Sequence, residues 1–141
     1  MRGTLRSVNP SLLARAAARA LDAVVAGLVA LVLGRVMGFG FDWLATAAAL
    51  VYVYFVVTDV GLGGTLGKLA LGLRVIGPDG GRLTSGEALR REAFVVLGAV
   101  PFVGPLLAVG FGAWIVVAVR ADPNGRGPHD AFAGGTRVVR A

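Results

Sequence analysis

Cysteine is absent from this 141-residue chain, and histidine occurs once. No disulfide and no thiolate metal site can form. One imidazole cannot build a histidine-based metal centre alone. Charge is scarce as well. Only 16% of residues are Asp, Glu, Lys or Arg, where a soluble domain carries about 25%. Nucleophiles are poorly placed for intramembrane hydrolysis. Ser11 and Ser85 lie outside the apolar runs, and no metal set replaces them, so the chain reads as a non-enzyme. Basic residues are not interleaved with aromatics, which excludes a nucleic-acid surface.

What is abundant is hydrophobic residues, at 56% of the chain, with a mean hydropathy of +0.77. These values predict an integral membrane protein, folded as one compact unit. The net charge of +6 then reads as membrane topology. Lysine and arginine collect on the cytoplasmic side of a bilayer, beside anionic lipid.

The first apolar run, about 12–37, is interrupted near its start by Arg15, Arg19 and Asp22. Its length and those charges predict an uncleaved first transmembrane helix instead of a signal peptide. At about 100° per residue the three charges share one stripe. A carboxylate near the bilayer centre costs on the order of 2.5–3.5 kcal/mol on insertion scales. Asp22 therefore reads as a functional candidate facing protein or water.

A turn at Gly38 to Phe41 leads to a second helix, about 42–59, with Asp42 as its cap and Trp43 as an interfacial anchor. GLGGTLGK, from Gly61 to Lys68, breaks that helix. Thr65 then caps a short helix over 66–71. The phosphate-loop pattern fails here, because Leu62 stands where glycine is needed and Leu69 where Ser or Thr is needed. Leu73 to Ile76 has strand periodicity. Pro78-Asp79-Gly80-Gly81 is a turn signal, and together they predict a small hairpin. The tail, Thr136 to Arg140, supplies a candidate third strand.

Residues 86–120 are too long for one span, and Pro101, Gly104 and Pro105 interrupt them. They predict two short helices, about 86–101 and 105–120. The fold class is all-α transmembrane, a bundle of about four helices with a cytoplasmic β-hairpin. Segment 60–85 and tail 121–141 are cytoplasmic in this reading. Both termini lie inside, and 13 of the 14 Lys and Arg, all but Arg35, share that side.

Beyond the Arg15–Arg19–Asp22 stripe, the candidate polar site contains Asp59, Arg91, Glu92, His129 and Asp130. Asp59 at the inner end of the second helix reads as an end charge or as a second acid in a cavity. Arg91 and Glu92 read as interfacial charges or as partners turned toward Asp22. His129-Asp130 reads as a surface histidine beside an aspartate that caps AFAGG, or as a titratable pair, since histidine changes charge near neutral pH. Tyr52 and Tyr54 read as packing residues.

Three motifs in chain order carry a resemblance. An arginine ahead of an intramembrane aspartate is matched by Arg15 and Asp22. A central motif is matched by GGTLGKLALGLRVIGPDGGRLT, Gly63 to Thr84. A closing motif is matched by HDAFAGGTRVV, His129 to Val139, with Asp130 as the second aspartate. Together they resemble the RDD family of small bacterial membrane proteins over nearly the whole chain. Gly64 departs from a common glutamine, and AGGT carries one small residue more than the usual AGT. The resemblance gives weight to His129, Asp130 and the backbone motif of Gly63, Gly64, Thr65, Gly67 and Lys68. It implies a multi-pass protein of the bacterial plasma membrane, and transport for some members, including cation/proton antiport.

Two function classes follow. In one, a transporter of small ions or solutes uses Asp22, with Arg15 or Arg19 pairing with it and gating access from inside. Four short helices are few for a pathway, so a homo-oligomer would be required. In the other, the Arg–Asp stripe is a structural ion pair in a non-transport scaffold. The partners expected are the bilayer and anionic lipid at the cytoplasmic face, with no cofactor, no metal and no nucleic acid.

Overall fold

The computed structural model describes residues 9–99 and 104–140. Helix α1 spans Leu12–Met37 and α2 spans Phe41–Leu62. Ser11 starts α1 by accepting from the Ala14 N–H at 3.2 Å, which satisfies one orphan donor of the first turn. Gly38, at φ 85°, ends it. Both helices are long and apolar enough to cross a membrane. At 1.5 Å per residue they reach roughly 39 and 33 Å. Trp43 of α2 donates its indole N–H to the Ala30 carbonyl of α1 at 2.6 Å, locking the pair near the connecting turn. Asp42 lies inside the first turn of α2, where Gly40 is the cap and no side chain caps.

The distribution of polarity is the reverse of a soluble core. Leu21, Val24, Leu28, Val32 and Val36 of α1 are exposed, while Asp22 and Asp59 are fully buried. Apolar surface left outside is what lipid tolerates, and backbone polar groups are satisfied within the helices.

At the other end from the 38–40 turn, shorter elements gather. Helix α3 is Leu66–Ala70, β1 is Leu73–Ile76 and α4 is Ser85–Glu92. A 3₁₀ segment follows at Ala93–Ala99, then α5 at Gly104–Ala121, α6 at Pro128–Phe132 and β2 at Arg137–Arg140. Strands β1 and β2 pair antiparallel, Leu73 opposite Arg140 and Ile76 opposite Arg137. Leu73, Val75, Leu83, Ala88 and Val138 form a small apolar core with Ala18 of α1.

Two expectations are corrected. The local hairpin does not form. The Pro78 turn exists, closed by Gly77 N–H to Gly81 O at 2.9 Å. The residues after it do not return as a strand, because Thr84 is committed to starting α4. Its side chain and that of Glu87 make a reciprocal capping box. The tail takes the open edge of β1 instead. The second correction concerns the helix expected over 86–101. It divides into polar α4 and the tighter 3₁₀ run. Pro101 of the anticipated turn lies outside the described residues.

Candidate functional site

The glycine-rich segment explains how the site is built. Gly63, at φ 77°, ends α2 in the left-handed conformation that favours glycine. Gly64 is buried against the Leu73 carbonyl. Thr65 caps α3, and Gly67 presses α3 onto α1. A Cβ at Gly67 would collide with the Ala18 carbonyl oxygen. Lys68, one residue on, is thereby carried into the interior.

Asp22 is the fixture that this approach creates. Its carboxylate accepts from the Thr65 hydroxyl at 2.5 Å, the Gly67 N–H at 2.9 Å and the Tyr54 hydroxyl at 3.2 Å. Side chain and backbone donors at the start of α3 thus converge on one carboxylate of α1. Neither Arg15 nor Arg19 pairs with it among the described residues. The expected Arg–Asp ion pair is therefore corrected. Helix α3 covers Asp22, and the two arginines reach past it.

Arg19 reaches Glu92 at 3.4 Å, with its guanidinium 4.3 Å from the ring centre of Phe55 and 5.0 Å from that of Phe94. Arg15 donates to the Gly125 carbonyl at 2.6 Å and to the Val138 carbonyl at 3.2 Å, tying the tail to α1. Lys68 donates to both oxygens of Asp59, at 2.9 and 3.1 Å, and lies 4.0 Å from Glu92. Arg91 bonds Asp130 directly and donates to Thr136 at 3.0 Å. Its Nε stands 3.5 Å from Glu92 and 3.7 Å from Asp59. Asp130 also accepts from the Gly127 N–H at 2.9 Å and the Thr136 hydroxyl at 3.0 Å.

The sequence-predicted residues are thus brought into one place, with four cations (Arg15, Arg19, Lys68, Arg91) and four carboxylates (Asp22, Asp59, Glu92, Asp130). Losing one partner of a buried pair costs about 3–5 kcal/mol, because the other charge is stranded. Among the described residues no three His, Asp or Glu side chains gather as a metal-ligating set. The acids are instead separated by cations.

His129 lies 3.7 Å from Asp130 through Nε2 and edge-on to Phe94. Burial, with the nearby Arg91 charge, holds its pKa down to about 3, so the imidazole is neutral at physiological pH. The expectation of titration near neutrality is corrected on that ground. For Asp130, burial alone would raise the pKa. The Arg91 guanidinium and the donors around it bring it below the ordinary carboxylate value.

A cavity of about 170 Å³ opens between these groups and α5. Arg15, Arg19, Asp22, Lys68, Arg91 and Glu92 stand on its wall, with His129 beside them. Leu12, Ile115, Val116 and Val119 line the apolar side. Asp59 and Asp130 stand behind Lys68 and Arg91. Tyr54 and Thr136 belong to the site through Asp22 and Arg91, although by sequence Tyr54 reads as a packing residue and Thr136 as the start of a strand. Their signal is chemical, since a hydroxyl held among apolar neighbours must find a partner.

The family model described as the RDD family matches residues 9–134, most of the length. The chain belongs to the RDD family. No curated protein and no solved structure matches it. As an RDD family protein with two helices apolar enough to cross a bilayer, it is a membrane protein. In this RDD protein the arginine-and-aspartate motifs, far apart in sequence, wall a single cavity.

Proposed function

We propose that this RDD protein is a multi-pass transporter of small ions or solutes in the bacterial plasma membrane, with the cavity between α1 and α5 as its substrate site. The supporting observation is the convergence of charged side chains from α1, α3 and α4 on one cavity. Ionisable groups kept in a membrane protein at this expense mark ion and solute pathways. Irregular backbone at membrane depth is tolerated where it lines such a cavity.

Asp22 anchors α3 in this reading and is not the exchanging group. Lys68 is the better proton carrier. Burial drives its pKa down, and it rests between two acids, Asp59 and Glu92. Cation/proton antiport would have a cation take the ammonium's place there as Lys68 releases its proton. Both termini and the short elements would face the cytoplasm, where basic Arg74, Arg82 and Arg90 meet anionic lipid.

The test is proteoliposomes holding a pH gradient and an internal pH dye. Sodium, potassium and small organic anions are added in turn. We expect one of them to collapse the gradient, and Glu92→Gln to slow that collapse at least tenfold. No collapse with any addition, or equal rates in the variant, would overturn transport through this cavity.

One observation favours the scaffold reading. Asp22 is bonded to Thr65, Gly67 and Tyr54 as a helix fastener. A scaffold needs that fastener and nothing more, and it would leave the dye signal flat for every addition.

A further inference from the structure

Arg15 is the exception among the four cations of the site. Arg19 faces Glu92, Lys68 faces Asp59 and Arg91 faces Asp130. Among the described residues Arg15 meets no carboxylate. Its two terminal nitrogens donate to neutral backbone carbonyls, and its Nε is buried with no acceptor. A guanidinium cannot shed its charge in a protein, so among the described residues Arg15 is a half-buried cation with no anion beside it.

The residues that carry the other unsatisfied atoms stand around the same cavity. Among the described residues the buried side-chain nitrogens without a hydrogen-bond partner are Arg15 Nε, Arg91 Nε and His129 Nδ1. All three residues stand on the cavity wall. Arg91 Nε has the carboxylates of Glu92 and Asp59 nearby, whereas Arg15 feels Asp130 only at a distance. The same cavity is lined by Leu12, Ile115, Val116 and Val119. Its two wall carboxylates are already engaged, Asp22 by Thr65, Gly67 and Tyr54 and Glu92 by Arg19, which leaves Arg15 beside an apolar side. The cavity volume of about 170 Å³ is several times what one water needs, enough for a carboxylate head and a short alkyl chain.

We propose that the cavity binds a small amphiphilic monocarboxylate, with its head on the Arg15 guanidinium and its alkyl tail along α5. As a substrate class this rests on the transport reading above, but the binding itself does not. Carboxylate on guanidinium is the charge-assisted pairing that Arg15 lacks. The tail lies on side chains that water solvates poorly. The acid could arrive from water as a short chain or from the bilayer as a fatty acid, and the two sources are separable by chain length.

The experiment is calorimetric titration of the full-length protein in nanodiscs at neutral pH, with sodium hexanoate, 1-hexanol and oleate in separate runs. Saturable hexanoate binding is expected, at least tenfold tighter than hexanol. Val116→Phe, which fills the tail space without touching a charge, should weaken it at least tenfold. Arg15→Gln should do the same if the variant elutes as the parent does. Saturable oleate binding with the same variant losses and no hexanoate signal would assign the carboxylate to the membrane. Equal binding of hexanol and hexanoate, no saturable heat from either acid, or unchanged binding by Val116→Phe would overturn the proposal. If hexanoate binds but no addition collapses a pH gradient, the transport reading fails and the site stands. If another solute collapses the gradient and neither acid binds, the site fails and the transport reading stands.

Discussion

Asp22 draws the eye in the sequence, yet the fold gives it the most settled position in the site. Three donors meet it, one of them a backbone N–H that no side-chain pattern announces. The stripe of Arg15, Arg19 and Asp22 was legible from helical periodicity. Its partners were not, because Arg19 and Glu92 lie 73 residues apart and Arg91 and Asp130 lie 39 apart. His129 carries the clearest solution prediction. Its pKa falls from an ordinary 6.5 to about 3 on folding, so between those values the unfolded chain binds more protons than the folded one. Stability is then full above pH 6.5 and is lost as pH falls toward 3, by at most about 1.4 kcal/mol per unit. Asp130, also depressed, adds a loss of the same sign at the acid end. Thermal midpoints measured in detergent from pH 8 to pH 4 should fall below about 6.5, and His129→Gln should flatten that limb. A parent profile that is flat down to pH 4 would contradict the buried neutral imidazole.

Helices α1 and α2 were readable because apolar length and glycine stops are local signals. The predicted end of α2 fell short, since Asp59 looks like an end charge. The helix in fact carries Asp59 inward and runs on to Leu62. The misread hairpin has a similar cause, as Thr84 belongs to a capping box that local alternation does not reveal. That box sets the start of α4, and α4 delivers Arg91 and Glu92 at its far end. Thr84→Ala should therefore lower stability by about 1 kcal/mol, seen as a reduced thermal midpoint, with Thr84→Ser restoring most of it. An unchanged midpoint in the alanine variant would mean that packing alone places α4.

On the scale of the whole molecule, charge is inside and hydrophobicity outside. The composition announced that inversion and the fold carries it out, with paired charges in the middle and exposed leucine and valine along α1. The absence of cysteine makes orientation easy to test. Single cysteines at Phe39, Arg82 and Asn124 can be read with a membrane-impermeant maleimide on intact cells. Phe39→Cys should label from outside, while Arg82→Cys and Asn124→Cys should label only after the cells are opened. Labelling of Asn124→Cys on intact cells would place the tail on the other face and break the proposed topology.

The bonds from Arg15 to Gly125 and Val138 also impose an order in time. The first helix leaves the ribosome long before the residues that satisfy it. At 5–20 residues per second, on the order of ten seconds separate Arg15 from Val138. During that interval Arg15 has no fold-given acceptor, and Arg91 waits in the same way for Asp130 and Thr136. Each chain therefore passes through an early period in which its most polar helix face is open to insertion machinery, lipid headgroups or proteases. A chain cut short before its tail never leaves that period. The segment from Gly125 to Val138 acts as a completion mark, by which a chain that has reached it differs physically from one that has not.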